Sequence, residues 1–197
     1  MGTIASTRGS SPDWGALFGV ANAQTGYFTT GQAAAAGYSP QLLHKYLGNG
    51  RIVRVRRGIY RLVHFPASEH EDLVVLWLWA EQAGAFSHET ALALHDLSDV
   101  LSSKVHLTIP ASSRRRRLRV PAGLVLHYAD ISDVDRAWFS AVPITMPRRT
   151  LRDCLEANVA PELVRQAVFQ AQRRGLISRK DGAEFHAWLD VSAEGAR

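Results

Sequence analysis

Apolar residues at Trp14, Leu17, Phe18 and Ala21 recur at i, i+3, i+4 and i+7, the spacing of one helical face. Gly26 ends that segment. Thr29 or Thr30 then offers a hydroxyl to cap a short helix over Gly31–Ala36. Gly37 follows, free to take the positive φ that a sharp turn demands. Ser39-Pro40 pairs a cap with a proline at the first helical position, which predicts a helix from Pro40 to Leu47 that ends at Gly48-Asn49-Gly50. Ile52–Val55 and Ile59–Val63 alternate as strands around a turn at Arg56-Arg57-Gly58. Helix, tight turn, helix and hairpin is the element order of a winged helix-turn-helix.

The pattern changes after His64-Phe65-Pro66-Ala67-Ser68, the expected domain seam. Glu69–Gln82 predicts a buried helix, with Leu73, Leu76, Trp77 and Ala80 on one face and Val74, Leu78 and Trp79 widening it. Ser87 is placed to cap a helix running to Leu94. Val105–Ile109, Leu124–Tyr128 and Val142–Thr145 predict strands, with an arginine run in a loop between the first two. Pro147–Glu156, Pro161–Arg174 and Ser178–Leu189 predict three further helices. The expected class is α+β: a flexible arm over 1–12, a winged helix-turn-helix over 13–65, and a mixed interaction domain over 66–197 with a small sheet and several helices.

Charge sharpens this division. Residues 1–65 hold six Arg and one Lys against a single acid, Asp13, whereas residues 66–197 hold sixteen basic and seventeen acidic residues. The whole excess of +5 therefore originates in the first third, which points to a specialised polyanion-binding module. On the predicted second helix, Leu42, Leu43, Tyr46 and Leu47 share the inward side, leaving Ser39, Gln41, His44 and Lys45 outward. A helix of this kind enters the major groove, where Gln41 suits adenine and His44 or Lys45 suits guanine or phosphate. Ser39 and the helix N-terminus suit a phosphate oxygen. Arg51, Arg54, Arg56 and Arg57 are placed for backbone or minor-groove contact, adding affinity with little base discrimination. Arg61 reads as a strand-surface residue and Tyr60 as wing packing. A second cluster, Arg114, Arg115, Arg116, Arg117 and Arg119, stays solvated unless an anion or acidic partner arrives.

The residues two positions before Lys45, Lys104 and Lys180 are Leu43, Ser102 and Ser178, so the acid-x-lysine pair of many nucleases is missing. The spacing of His88, His95, His106 and His127 matches no HExxH-like motif, and these read as structural or surface histidines, with no metal and no cofactor expected. Ser87-His88-Glu89 reads as a cap with a glutamate favouring the helix dipole. Neither a Walker loop nor GxGxxG is present, and Cys154 shares an apolar helix side with Leu151 and Leu155, as a core residue rather than a nucleophile. The expectation is a protein without catalytic activity. One cysteine, no apolar run near the ~20 residues needed to span a bilayer, and an N-terminus without a signal-peptide core are consistent with a cytoplasmic location and no membrane partner.

Four segments together resemble the AbiEi antitoxin family of type IV toxin–antitoxin and abortive-infection systems: RVRRGIY at Arg54–Tyr60, GAFSHETALALHDLS at Gly84–Ser98, VHLTIP at Val105–Pro110 followed by the arginine cluster, and VPITMPRRTLRDCLEA at Val142–Ala157. The resemblance implies an N-terminal domain that binds inverted repeats in its own promoter and represses the operon. It further implies a C-terminal domain needed to neutralise a nucleotidyltransferase-like toxin. Self-association on repeated DNA half-sites is expected separately, because one small winged domain gives modest specificity. By matching positions, it assigns DNA contact to Gln41, His44, Lys45, Arg54, Arg56 and Arg57. Some similar proteins carry a nuclease-like C-terminal part, against which the missing acid-x-lysine pair argues here. A stand-alone winged-helix regulator, whose second domain senses a ligand or oligomerises, is the alternative.

Overall fold

The computed structural model describes residues 11–99 and 102–194, the side chains of 192–194 excepted. The expected arm over 1–12 therefore lies outside the described residues as far as residue 10. The chain divides between Gln82 and Ala83 into two compact units. The anticipated seam at 64–68 falls inside the first of these.

In the first unit, α1 (Trp14–Ala23) leads into β1 (Tyr27–Thr29), α2 (Thr30–Ala35), α3 (Pro40–Gly48), β2 (Ile52–Arg56), β3 (Ile59–Leu62) and α4 (Glu71–Trp79). The caps explain the starts. Asp13 accepts from the Ala16 N–H, and Ser39 accepts from the Leu42 N–H. Thr29 makes a full capping box: its hydroxyl accepts from the Gln32 N–H at 3.1 Å and its own N–H donates to the Gln32 side chain at 2.8 Å. Gly37 turns the chain between α2 and α3 with φ of 82°, a conformation open to glycine without steric cost. The three strands form an antiparallel sheet in the order β1-β3-β2. Strand β1 escaped the sequence reading because three residues show no alternation. The core gathers Leu17, Ala21, Phe28, Ala33, Tyr38, Leu43, Ile52 and Leu62. Each large side chain buried here stabilises by about 1.5–3 kcal/mol, and the small Ala33 lets the helices approach.

Helix α4 belongs to this unit through polar ties that hydropathy could not announce. Glu71 accepts from the Tyr27 hydroxyl at 2.6 Å and pairs with Arg61 at 3.1 Å. Gln82, just beyond the helix, donates to Gln24, which also receives a bond from Gln32. Arg61 is thus a structural residue, not a strand-surface one: it also donates to the carbonyls of Phe65 and Pro66 and lies over the Tyr27 ring. Burial and the Glu71 contact push the Tyr27 hydroxyl up to about 12. Burial also pulls Glu71 upward, but hydrogen bonds from Tyr27, the Ser68 N–H and Arg61 outweigh it and hold the carboxyl below its usual range. A depressed carboxyl stabilises fully above its unfolded value and loses that contribution as pH falls through the folded one. Glu71→Gln is therefore expected to cost about 1–2 kcal/mol at neutral pH. In thermal melts, that cost should shrink once the pH drops below the ordinary carboxylate value of 4.5.

The second unit runs β4 (Ala85–Phe86), α5 (His88–Leu94), β5 (Val105–Ile109), a 3-10 helix (Ala111–Arg115), β6 (Leu124–Tyr128), a 3-10 turn (Asp133–Asp135), β7 (Arg136–Phe139), β8 (Val142–Thr145), α6 (Pro147–Glu156), α7 (Pro161–Arg173) and α8 (Arg179–Glu194). Its sheet has the order β6-β5-β4-β8-β7. Strands β5/β6 and β4/β8 pair in parallel, β4/β5 and β7/β8 antiparallel. Two of the five strands, β4 and β7, went unread: β4 is two residues long, and β7 is four residues with no clean alternation. Gly84 precedes β4 at φ of 88°, and any side chain there would strike the Thr108 carbonyl, so glycine sets how closely β4 meets β5. Leu92, Leu151, Cys154, Val164, Val168, Phe185 and Leu189 close the helical core. Cys154 is fully buried, as expected, and burial pushes its thiol up. No helix among the described residues is long and apolar enough to cross a membrane.

Candidate nucleic-acid interface

Helix α3 sits on Leu43, which is 3% exposed, with Leu42, Tyr46 and Leu47 packed against the same core. That anchoring fixes the rotation of the helix. Ser39, Gln41, His44 and Lys45 are all exposed as a result. The Ser39 hydroxyl accepts from the Leu42 N–H at 3.2 Å, leaving its own proton free to donate. The N-terminus of the helix adds partial positive charge on the same side.

Strand β2 is the edge of its sheet, and only its first residue, Ile52, is buried. Val53, Arg54, Val55 and Arg56 all reach solvent, so the hairpin projects beyond the core as a wing. A register shift between Arg54 and Arg56 and a positive φ at Gly58 turn the tip, where Arg57 is also exposed. Tyr60 stacks on Phe28 at 5.7 Å, as its wing-packing role requires. Arg51 differs from the other arginines. Its guanidinium lies over the Tyr46 ring at 5.3 Å, beside an apolar cleft lined by Trp14, Phe18, Leu62 and Phe65. No acidic residue occurs between Trp14 and Phe65. The positive charge of α3 and the wing is therefore not neutralised from within this stretch.

The second arginine cluster is more ordered than a loop. Arg114 and Arg115 close a 3-10 helix over a buried Ser113, and Arg114 lies over the Tyr128 ring at 5.5 Å. Arg115, Arg116, Arg117 and Arg119 are exposed.

The Ser87-His88-Glu89 segment departs from its sequence reading. Ser87 stands at the N-cap position of α5 but caps nothing. Its hydroxyl instead bonds Thr108 at 2.7 Å and His88 Nδ1 at 2.8 Å. Glu89 lies 3.0 Å from His106 Nε2. His106 Nδ1 and His127 Nε2 are 3.0 Å apart, and the His88 and His127 rings stack at 3.6 Å. His88, His106 and His127 thus form one cluster, while His95 bonds the Thr145 carbonyl elsewhere. Burial and the neighbouring imidazoles push His88 down to about 3 and His127 down to about 4; burial lowers His106 as well. The sequence spacing carried no trace of this grouping; the only hint was three histidines in segments that pack side by side.

Residues 20–63 match the family model described as "Transcriptional regulator, AbiEi antitoxin". Among curated proteins, none matches the chain. Among solved structures, the crystal structure of RV2827C protein from Mycobacterium tuberculosis shares 14% identity at a TM-score of 0.42, over 94% of this chain and 85% of that one, a likeness too slight to build on. Over its helix-turn-helix and wing, the chain is similar to the AbiEi antitoxin transcriptional regulators.

Proposed function

We propose that this protein is an AbiEi-like antitoxin that binds inverted repeats in its own promoter, represses its operon and neutralises a nucleotidyltransferase-like toxin. The observation that carries the DNA-binding reading is the exposed α3 face beside an arginine wing, in a stretch free of acids after Asp13. In this reading α3 enters the major groove, with Gln41, His44 and Lys45 toward base edges and Ser39 at a phosphate. Arg54, Arg56 and Arg57 follow the backbone, and Arg51 supports α3 from the side. Two copies occupy two half-sites, because one small winged domain offers modest specificity. The regulatory role does not call on catalysis by either unit.

Gln41→Ala and Lys45→Ala are expected to alter preference among operator variants, each by about 1–3 kcal/mol at its own base pair. Fluorescence anisotropy against a panel of single-base promoter mutants reads this out; an unchanged preference profile would remove α3 from the groove. Co-expression with the adjacent open reading frame tests the antitoxin role. Growth rescue by this chain supports it, whereas promoter binding without rescue leaves a stand-alone regulator.

A further inference from the structure

We propose that His88, His106 and His127 bind one divalent transition-metal ion, zinc in the first instance, on the β4–β5–β6 side of the second unit. The sheet creates the grouping. His127 lies on β6 opposite Thr108 of β5, His106 stands two residues before Thr108, and His88 stands two residues beyond the end of β4, at the first position of α5. One ring nitrogen from each residue lies within 4.8 Å of the other two. A tetrahedral zinc with bonds of 2.0–2.1 Å needs its donors ~3.3 Å apart. His106 Nδ1 and His127 Nε2, at 3.0 Å, are already that close. His88 stacks face to face on His127 with ring centroids 3.6 Å apart, so its ring has to reorient for a nitrogen to reach the same point.

The surroundings hold the rings as metal ligands are commonly held. A ligating histidine usually donates its other N–H to a carboxylate or similar acceptor, which fixes the tautomer. Glu89 occupies that place for His106, through Nε2. With Nε2–H donated to Glu89, His106 Nδ1 keeps its lone pair, and a metal there takes the place of the hydrogen bond now shared with His127 Nε2. Imidazole donors without thiolate suit zinc, copper, nickel or iron, and calcium or magnesium poorly. Cys154, the one thiol, is buried in the helical core.

A second observation independently points to a ligand. His88 and His127 line a cleft of about 360 Å³ together with Arg114, Arg149, Asp153 and Glu156. Asp153 is 5% exposed, and its Oδ2 is buried without a hydrogen-bond partner. Such an acceptor is costly to bury unless a cation or water serves it. Three protein nitrogens leave a fourth zinc position for a water or an anionic oxygen, and Arg114 and Arg149 line the same cleft.

The untagged full-length chain, stripped with chelator and titrated with zinc chloride against a chromophoric competitor, is expected to bind one equivalent. Cobalt(II) in its place should give the intense visible bands of a four- or five-coordinate nitrogen site. His106→Gln and His127→Gln should each weaken binding at least about a hundredfold, and Glu89→Gln about ten- to a hundredfold. His64→Gln and His186→Gln should leave it unchanged. Circular dichroism verifies that each variant folds; where a ligand variant does not, the wild-type cobalt spectrum and Glu89→Gln decide. Absence of saturable one-to-one binding by the wild type, an octahedral cobalt spectrum of hydrated ion, or wild-type affinity in a folded His106→Gln/His127→Gln variant overturns the proposal. DNA binding is not part of the readout, so this outcome stands apart from that of the proposed function.

Discussion

Replacing Arg54, Arg56 and Arg57 together by alanine is expected to weaken binding to every duplex by about a hundredfold at moderate salt, with no change in preference among sequences. The reason is counterion release. Each arginine seated on a phosphate displaces condensed cations, and log K falls with log salt by about 0.9 for each such contact. Removing three should flatten the slope by up to ~2.7. The fold should survive, because all three side chains are exposed and their only described tie is a long bond from Arg54 Nε to the Arg56 carbonyl at 3.4 Å. A titration series between low and high salt separates this from a generic loss of affinity: a parallel shift with an unaltered slope places the wing away from the backbone. Arg51→Ala belongs to a different class. Its guanidinium rests on Tyr46, so its loss should lower stability slightly and leave the slope closer to that of the wild type.

Arg149→Met is expected to destabilise the second unit by about 3–5 kcal/mol, the largest effect on folding anticipated for any polar residue here. Arg149 is 9% exposed and donates from Nε to Asp153 Oδ1 at 2.7 Å, with a longer pairing to Asp135 at 3.7 Å. Burial pushes the Asp153 carboxyl up, and the Arg149 hydrogen bond and charge work against that. Taking the guanidinium away leaves an acid that is buried and unpaired, so it must either stay charged at high cost or bind a proton. The melting temperature should fall by on the order of 10–20 °C. The double variant Arg149→Met/Asp153→Leu should recover most of the loss, because replacing both partners removes the uncompensated charge. If the double variant is no better than the single, packing around α6, not the ion pair, is what Arg149 supplies.

The contrast between these two sites follows how each was encoded. The α3 and wing arginines were legible because every feature that defines them is short-range. Ser39 caps a helix three residues away, Pro40 sets its first turn, and Leu43 and Tyr46 set its inward side at helical spacing. The Arg149–Asp153 pair is also four residues apart on one helix, yet nothing local says that both are buried. The amphipathic pattern of α6 marks polar residues as solvent-facing, and only the packing of the rest of the unit reverses that here. Arg61 failed in the same way. Alternation along β3 predicted a surface residue, but α4 arrives over it and brings Glu71. The placement of α4 with the winged unit depended on Tyr27, Glu71, Gln24 and Gln82, residues up to 58 positions apart.

By itself, the chain's order of residues determined the winged helix-turn-helix, the sidedness of its second helix and the concentration of positive charge in its first third. Caps, turns and helical periodicity act over a few residues, and charge is additive along any stretch. Only the tertiary structure decided that Ser87 bonds a threonine and a histidine instead of capping its helix, and that Glu89 faces His106. It also decided that three histidines spread over forty residues meet at one point. Their meeting is set by the register of β5 on β6 and of β4 on β5, and register is a property of paired strands that no spacing within one segment can express.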